Sequence, residues 1–370
     1  MVMVKPATID GYVLNNVAHG TIAQKLLATD GNPCVLRPYV GDDGRTNYID
    51  VPVKNKDGTQ GWKAQRVQNA AAVLRRDEWD LFDKAVTQNA KPPMKAVNDL
   101  RQAGLVYNLP NGWANTTLQW STISGINPAQ MSMSGRIQQR RDQVHYEMDG
   151  IPLPIISYGF ELDARFLAIT RKTGAPLDTT MAELAGEQVG ILAEKLLLGV
   201  ESWGSFAGFS LVGYTSHADR MLKSLTSPAT ADPMTVVHEV IAMVQQAQDN
   251  YHYGPFWLYY SPGYSQYLSR DYASSTYYGT GTATGRTVKE RILQIDQITK
   301  CEMLSYLPDH TLLLVEPKQR TVRLVIGMEV TTLQWETDGG MGINFLVMAI
   351  ILPNIRSDNN DKMGLLHGSV

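Results

Sequence analysis

The chain has 370 residues, 44% of them hydrophobic, which is material for two or three domains with buried cores and excludes wholesale disorder. Charged residues reach only 19%, against roughly 25% in an ordinary soluble domain, and 33 basic against 36 acidic side chains leave a net charge of −3. That balance argues against a dominant nucleic-acid-binding surface, and the shortage of charge fits a protein that hides much of its surface against copies of itself. Cys34 and Cys301 are too few for a disulfide framework and point to a reducing compartment. Met1 to Gly11 has no signal-peptide core. The longest apolar run, Ile343 to Ile355, is broken by Asn344 and Pro353 and is too short to span a bilayer; it reads as a buried strand in a soluble, intracellular protein.

The first 75 residues read as irregular, with turn signals at Asp30-Gly31, Gly41 to Gly44 and Asp57-Gly58 and short β-prone stretches such as Tyr48 to Val51. They are a loose tail or an arm ordered by neighbouring subunits, and Tyr39, Tyr48 and Trp62, which need cover, favour the arm. From Asp77 the spacing of Trp79, Phe82, Val86 and Ala90 predicts a helix that Pro92-Pro93 ends. A second helix runs from Met94 to Ala103 and stops at Gly104. Ile137 to Leu162 reads as a long projecting β-hairpin: Val144, Tyr146 and Met148 alternate with polar residues, Asp149-Gly150 supplies a turn or bulge, and Pro152 and Pro154 require an edge.

Thr180 and Glu183 form a candidate capping box for a helix ending at Gly199, with Asp178 upstream and a stripe of Met181, Ala185, Val189, Leu192 and Leu196. Asp232-Pro233 opens another helix, with Met234, Val237, Ile241 and Val244 as its buried face, which Gly254-Pro255 closes. Then come a buried strand Phe256 to Tyr260, a short helix Tyr264 to Leu268 and a Gly/Ser/Thr/Tyr loop Ala273 to Gly285. A helix Thr287 to Ile295 precedes strands near Cys301 to Leu304, Thr311 to Val315, Val322 to Val325 and Ile343 to Leu352. Alternating helices and strands make this third a compact α/β piece.

No chemical motif survives close reading. The loop Gly279-Thr-Gly281-Thr-Ala-Thr-Gly285 lacks the Gly-Lys-Ser/Thr ending and the spacing of phosphate-binding turns, so a mobile surface loop is the better reading. His238-Glu239 would need a histidine at 242, which is Ala242. In Gly204-Ser-Phe-Ala-Gly208 the serine is not central, as a nucleophile elbow requires. Arg136, Arg140 and Arg141 are diluted by Asp142 and Glu147 and fit a solvated or subunit-facing hairpin better than a phosphate patch. Catalytic, cofactor-binding and metal-binding residues are all read as none.

From Phe160 onward the chain resembles the encapsulin-like branch of the Hong Kong 97-type major capsid proteins of tailed bacteriophages. The likeness rests on Phe160-Glu161-Leu162, Arg171-Lys-Thr-Gly174-Ala175, Asp178, the Ala-rich run from Leu184 to Glu194 with Gly199, the turn Gly208 to Gly213, Asp232-Pro233, Gly254-Pro255 and Ser261 to Tyr264, with Glu78-Trp79-Asp80 upstream. It implies an α+β fold with a 1–75 N-terminal arm, N-terminal helices and connecting loop over 76–134, and an extended hairpin loop over 135–162. A peripheral domain with a long spine helix would cover 163–231, an α/β axial domain 232–320, and return strands of the peripheral domain 321–370. The long arm is more typical of phage coat proteins than of encapsulins, and Glu194-Lys195 stands where Glu-Asp is frequent.

The resemblance implies a shell protein without enzymatic activity or cofactor. It would form hexamers and pentamers in an icosahedral virion capsid, be made in the host bacterial cytoplasm, and touch packaged double-stranded DNA non-specifically. Portal, scaffold or decoration proteins are further partners it implies, and a membrane is not. Arg136, Arg140, Arg141, Asp142 and Glu147 would lie at a subunit interface, and the loop bearing Gly279, Gly281 and Gly285 in the axial domain. The alternative is an encapsulin shell around an enzyme cargo; an unrelated α/β enzyme is the third class. Some relatives fasten subunits by a lysine–asparagine isopeptide bond, but no lysine occurs from Gly135 to Arg165.

Overall fold

A computed structural model of the chain describes residues 39–40, 47–54, 60–67, 74, 76–123, 146–173, 179–201, 204–272, 285–337, 341–357 and 362–370. Its first strands are β1 (Tyr39–Val40), β2 (Asn47–Lys54) and β3 (Gln60–Val67), followed by helices α1 (Arg76–Ala90) and α2 (Lys95–Gln102). Next come β4 (Val106–Asn108), β5 (Thr117–Ile123), β6 (Tyr146–Pro152), β7 (Ile156–Asp163), α3 (Ala164–Thr173) and the long helix α4 (Thr180–Leu198). The rest comprises β8 (Ser205–Phe206), β9 (Phe209–Ser210), β10 (Met221–Ser224), α5 (Pro233–Asp249), β11 (Phe256–Tyr260), α6 (Ser265–Leu268) and α7 (Val288–Leu293). Strands β12 (Ile298–Met303), β13 (Thr311–Val315), β14 (Val322–Thr337), β15 (Gly342–Ile355) and β16 (Leu365–Ser369) complete it.

Two cores organise these elements. In the first, α1 presents Trp79, Phe82, Val86 and Ala90, all buried, as their spacing demands. Phe82 lies against Phe345 of β15 and Phe160 of β7, with ring centroids 5.2 and 6.4 Å away, and Phe160 faces Phe345 directly across the ladder at 5.1 Å. This stack joins α1 to the four-stranded sheet, ordered β4-β14-β15-β7. Helix α4 packs on the same layer and approaches α1 very closely. A Cβ on Gly186 would sit 2.4 Å from the Val86 carbonyl oxygen, and one on Gly190 would sit 2.3 Å from that of Ala90.

The second core lies between α5 and the five-stranded sheet β10-β16-β13-β11-β12. Strand periodicity divides β13 between the two cores: Leu312 and Leu314 face the second, and Leu313 and Val315 the first. The same alternation sends Leu258 and Tyr260 one way and Tyr259 the other.

Several expectations are corrected. Of the expected hairpin Ile137 to Leu162, the described residues from 146 onward do not pair with one another. Strand β6 pairs with β5, Thr117 opposite Pro152 through Ile123 opposite Tyr146, while β7 joins β15 in the sheet. Pro152-Leu-Pro154 ends one ladder and lets the chain cross to another, so Asp149-Gly150 lies inside a strand rather than at a turn. The C-terminal strand β16 is not a return strand of the first sheet: it sits between β10 and β13 in the second, with Leu365 and Leu366 buried on its opposite faces. Strand β10, placed by the sequence reading in the peripheral domain, belongs to that second sheet as well. Val322 to Val325 is the start of a 16-residue strand that continues through register shifts between Ile326 and Thr331. Residues 47–67 contain a β2–β3 hairpin rather than irregular chain, although its Asp57-Gly58 turn signal lies outside the described residues.

The stripe on α4 is also rotated. Ala182, Ala185, Gly186, Val189, Gly190 and Ala193 are buried, whereas Met181, Leu184 and Leu192 are exposed, because the glycines rather than the largest side chains set the face of contact. On α5, Ile241 is likewise exposed and Val240 buried. The cap of α4 is Thr179, whose hydroxyl donates to the Glu183 carboxylate at 2.8 Å. A full capping box forms instead at α7, between Thr287 and Glu290.

Glu194 does unexpected work on α4. It is 1% exposed, and its carboxylate accepts from the backbone N–H groups of Ala96 and Val97 at 2.8 and 3.2 Å, satisfying the first turn of α2 from another helix. Burial raises its pKa from the usual carboxylate range to about 7, and the two N–H bonds oppose that rise. A raised acid pKa favours the folded state fully below about pH 4.5, and this contribution is lost as pH rises through about 7.

Two expected outcomes follow. Gly190→Ala should force α1 and α4 apart and destabilise the fold by about 1–3 kcal/mol or more. Gly204→Ala, where a Cβ meets nothing within 4 Å, should cost far less, and urea unfolding of the two variants compares them. Glu194→Gln removes the titration. The unfolding free energy of the variant relative to wild type should therefore rise by on the order of 2–3 kcal/mol between pH 5 and pH 8, and a pH-independent difference would contradict the assignment.

Candidate assembly surfaces

Strands β5 and β6 form a two-stranded ribbon whose register leaves it without a third strand among the described residues. Its root is anchored. The Arg356 guanidinium lies over the Trp120 ring at 4.8 Å, and Gly150 is packed so tightly that a Cβ would come within 3.2 Å of the Phe209 ring on β9. Farther out, Tyr146 and Met148 are each 68% exposed. Two large apolar side chains on one face of a thin ribbon are left uncovered by the described residues, which marks a contact surface. Of the expected interface residues, Arg136, Arg140, Arg141 and Asp142 lie outside the described residues, as does the side chain of Glu147, whose backbone is in β6.

A second exposed apolar surface follows α4 and its neighbours: Met181, Leu184 and Leu192 on the helix, with Ile155 and Tyr158 beside β7. Between α4 and β7 runs a groove of about 200 Å³ lined by Ile156, Ser157, Tyr158, Gln188, Leu192 and Lys195, among others.

Buried polar joints that sequence reading missed hold the elements around the second sheet, one of them reaching α2 of the first core. Asp99 on α2 accepts from the Tyr259 hydroxyl of β11 at 2.8 Å and pairs with Lys300 of β12. At the other joint, His252 Nδ1 lies 2.8 Å from Glu316 Oε2, and Glu316 also accepts from the Gly254 N–H and from Lys318. Burial pushes the Glu316 pKa up, but His252 and Lys318 more than offset it, so the carboxyl is held below its ordinary range. Gly364 leaves no room for a side chain there, since a Cβ would lie 2.7 Å from Glu316. Signals for these joints were weak: an Asp inside an amphipathic helix and a lone His are ordinary in a sequence.

In the loop Ala273 to Gly285, residues 273–284, with Gly279 and Gly281, lie outside the described residues. Its base is closed by an Asp271–Thr287 bridge and by the Gly285 N–H donating to the Asp271 carboxylate at 3.0 Å; Gly285 takes φ +68°, which suits glycine. Groups that the sequence analysis weighed and set aside have structural surroundings. Burial pushes the Cys301 thiol up to about 11, so it is protonated at neutral pH. Glu239 accepts from the Thr226 N–H at 2.7 Å. Among the described residues no group of three His, Cys, Asp or Glu side chains gathers to hold a metal, and no helix is long and apolar enough to cross a membrane.

Known structures share this arrangement. The virus-like particle from Pyrococcus furiosus matches with a TM-score of 0.53 and 17% identity over 79% of this chain and 99% of its own. The capsid of Myoviridae phage XM1 matches with a TM-score of 0.55 and 9% identity over 73% and 91%, and the Mycobacterium phage Cain structure with 0.51 and 10% over 73% and 89%. At these identities the likeness establishes the fold, which is the Hong Kong 97-type capsid fold. A search of curated protein sequences finds no match. A family described only as being of unknown function, DUF6260, matches residues 69–368, and the chain belongs to it.

Proposed function

We propose that the chain is the major capsid protein of a tailed bacteriophage, which self-assembles into an icosahedral shell around double-stranded DNA. The observation that carries this is the extent of the fold likeness, which spans 73% of this chain and 91% of the phage XM1 capsid chain. The chemistry agrees. Apolar side chains project where none of the described residues covers them, and the buried ionisable groups are spent on helix ends and joints.

In this reading residues 1–75 are the arm and the ribbon of β5 and β6 belongs to the extended loop, with Arg136, Arg140, Arg141, Asp142 and Glu147 meeting a neighbour. The α4 layer is the peripheral domain. The five-stranded sheet with α5 is the axial domain, completed by β10 and β16, and the loop bearing Gly279, Gly281 and Gly285 faces the capsomer axis. Hexamers and pentamers are the assembly units; the genome contacts the wall non-specifically, and portal, scaffold or decoration proteins are its further partners. An encapsulin shell around an enzyme cargo is the second reading, favoured by the likeness to the Pyrococcus furiosus particle over 99% of that chain. Phage-length DNA in native particles supports the first, and a co-purified enzyme the second.

At micromolar concentration the purified chain should sediment as capsomers, shells or tubes. Tyr146→Asp with Met148→Asp should shift it towards smaller species at unchanged circular dichroism; a compact 41.0 kDa monomer from the wild type would defeat the proposal. Because no lysine occurs from Gly135 to Arg165, mature particles boiled in detergent should run as a monomer, whereas a ladder of covalent oligomers would show that another residue fastens the shell.

A further inference from the structure

Strand β7 is the outermost strand of its sheet among the described residues. The Ala164 N–H, just beyond its end, donates to the Met341 carbonyl at 2.9 Å. The alternation of an antiparallel ladder therefore turns the N–H and C=O groups of Ser157, Gly159 and Glu161 away from β15. All three residues are exposed. An eight-residue edge of this kind accepts another extended chain, and natural proteins rarely leave one open. Beside it lies the groove against α4, whose floor and walls include Ile156, Tyr158, Val189 and Leu192. Its one charged lining residue, Lys195, is already paired with Glu201 at 3.2 Å. The site thus offers backbone hydrogen bonds on one side and, on the other, a groove apolar at Ile156, Tyr158, Val189, Ile191 and Leu192 and polar at Gln188, with the Lys195 charge already paired, which is the recognition pattern of strand addition.

We propose that this edge and groove receive the N-terminal segment, Met1 to Pro38, of a second copy of the chain. The proposal rests on the shell reading and names the receptor of the arm. Three features select that occupant. The segment contains only five charged residues, Lys5, Asp10, Lys25, Asp30 and Arg37, and it opens with Met-Val-Met-Val, so it suits a groove with no free charge to answer. Its attachment point is defined: Val40 N–H donates to the Leu74 carbonyl at 3.0 Å, and Tyr39 packs on the first core. At about 3.3 Å per extended residue the segment reaches roughly 125 Å, far beyond the roughly 28 Å of α4, and so leaves its own subunit easily.

The test uses isotopically labelled chain lacking residues 1–38, alone and mixed with unlabelled full-length chain, with hydrogen exchange read on the labelled 156–163 peptide. Protection at Ser157, Gly159 and Glu161 should rise by about tenfold or more only in the mixture, because only a second copy can supply the missing segment. Equal exchange with and without the full-length chain overturns the proposal. So does protection that appears when the truncated chain assembles alone, since another part of a neighbour then covers the edge. Electron microscopy of the same samples reads shell formation separately: shells with an unprotected β7 defeat this inference and leave the capsid reading intact. Where no shells form, a synthetic peptide of residues 1–38 added to the labelled truncated chain decides; protection relative to a scrambled peptide supports the docking, and its absence overturns it.

Discussion

The close approach of α1 and α4 is the contact on which the rest of the molecule depends. The carbonyl oxygens of Val86 and Ala90 occupy the places where side chains at 186 and 190 would begin, so the two helices meet backbone to backbone. That distance places Phe82 against Phe345 and Phe160, and the aromatic stack in turn fixes β15 and β7. The same helix carries Glu194 to the start of α2, where a carboxylate kept partly protonated near neutral pH closes the first turn of a second helix. One tight crossing thereby sets the helical layer and the sheet beneath it, from which the outer strand and the ribbon project.

The second core hangs on the first through charges rather than a continuous apolar seam alone. Asp99 of α2 joins the second sheet through Tyr259 and Lys300, and within that second unit Glu316 pairs with His252, 64 residues away. Buried ionic joints of this sort add little net stability, because desolvation offsets attraction, but breaking one partner is costly. The Asp99 joint holds α2 of the first core in one orientation on the second sheet. In the proposed shell, where a subunit would present the same faces to several neighbours, a defined orientation would matter more than added stability.

Much of this was legible in the sequence. The 79–82–86–90 spacing, the length of α4, Asp232-Pro233 and the buried strand Phe256 to Tyr260 all formed as their patterns require. Failures have physical causes. Of the stripe expected on α4, Ala185, Val189 and Leu196 are buried, but Met181 and Leu192 are exposed, because Gly186 and Gly190, four apart, mark a helix face on which nothing large fits. The ribbon was paired with the wrong strand because sequence neighbours usually pair, and the two prolines that divert β7 act on topology rather than on local pattern. Strand β16 carries too little alternation to reveal that it crosses to another sheet. Of the interface residues foreseen, the cluster at 136–142 lies outside the described residues, while Tyr146 and Met148, read only as an alternation, prove to be the exposed apolar face.

Electron cryomicroscopy of particles formed by the purified full-length chain tests the central claim most directly. The account predicts closed icosahedral shells in which each subunit's ribbon lies against a neighbour and Tyr146 and Met148 are covered there. Discrete small oligomers, or shells in which the ribbon and those two side chains stay exposed to solvent, would contradict it.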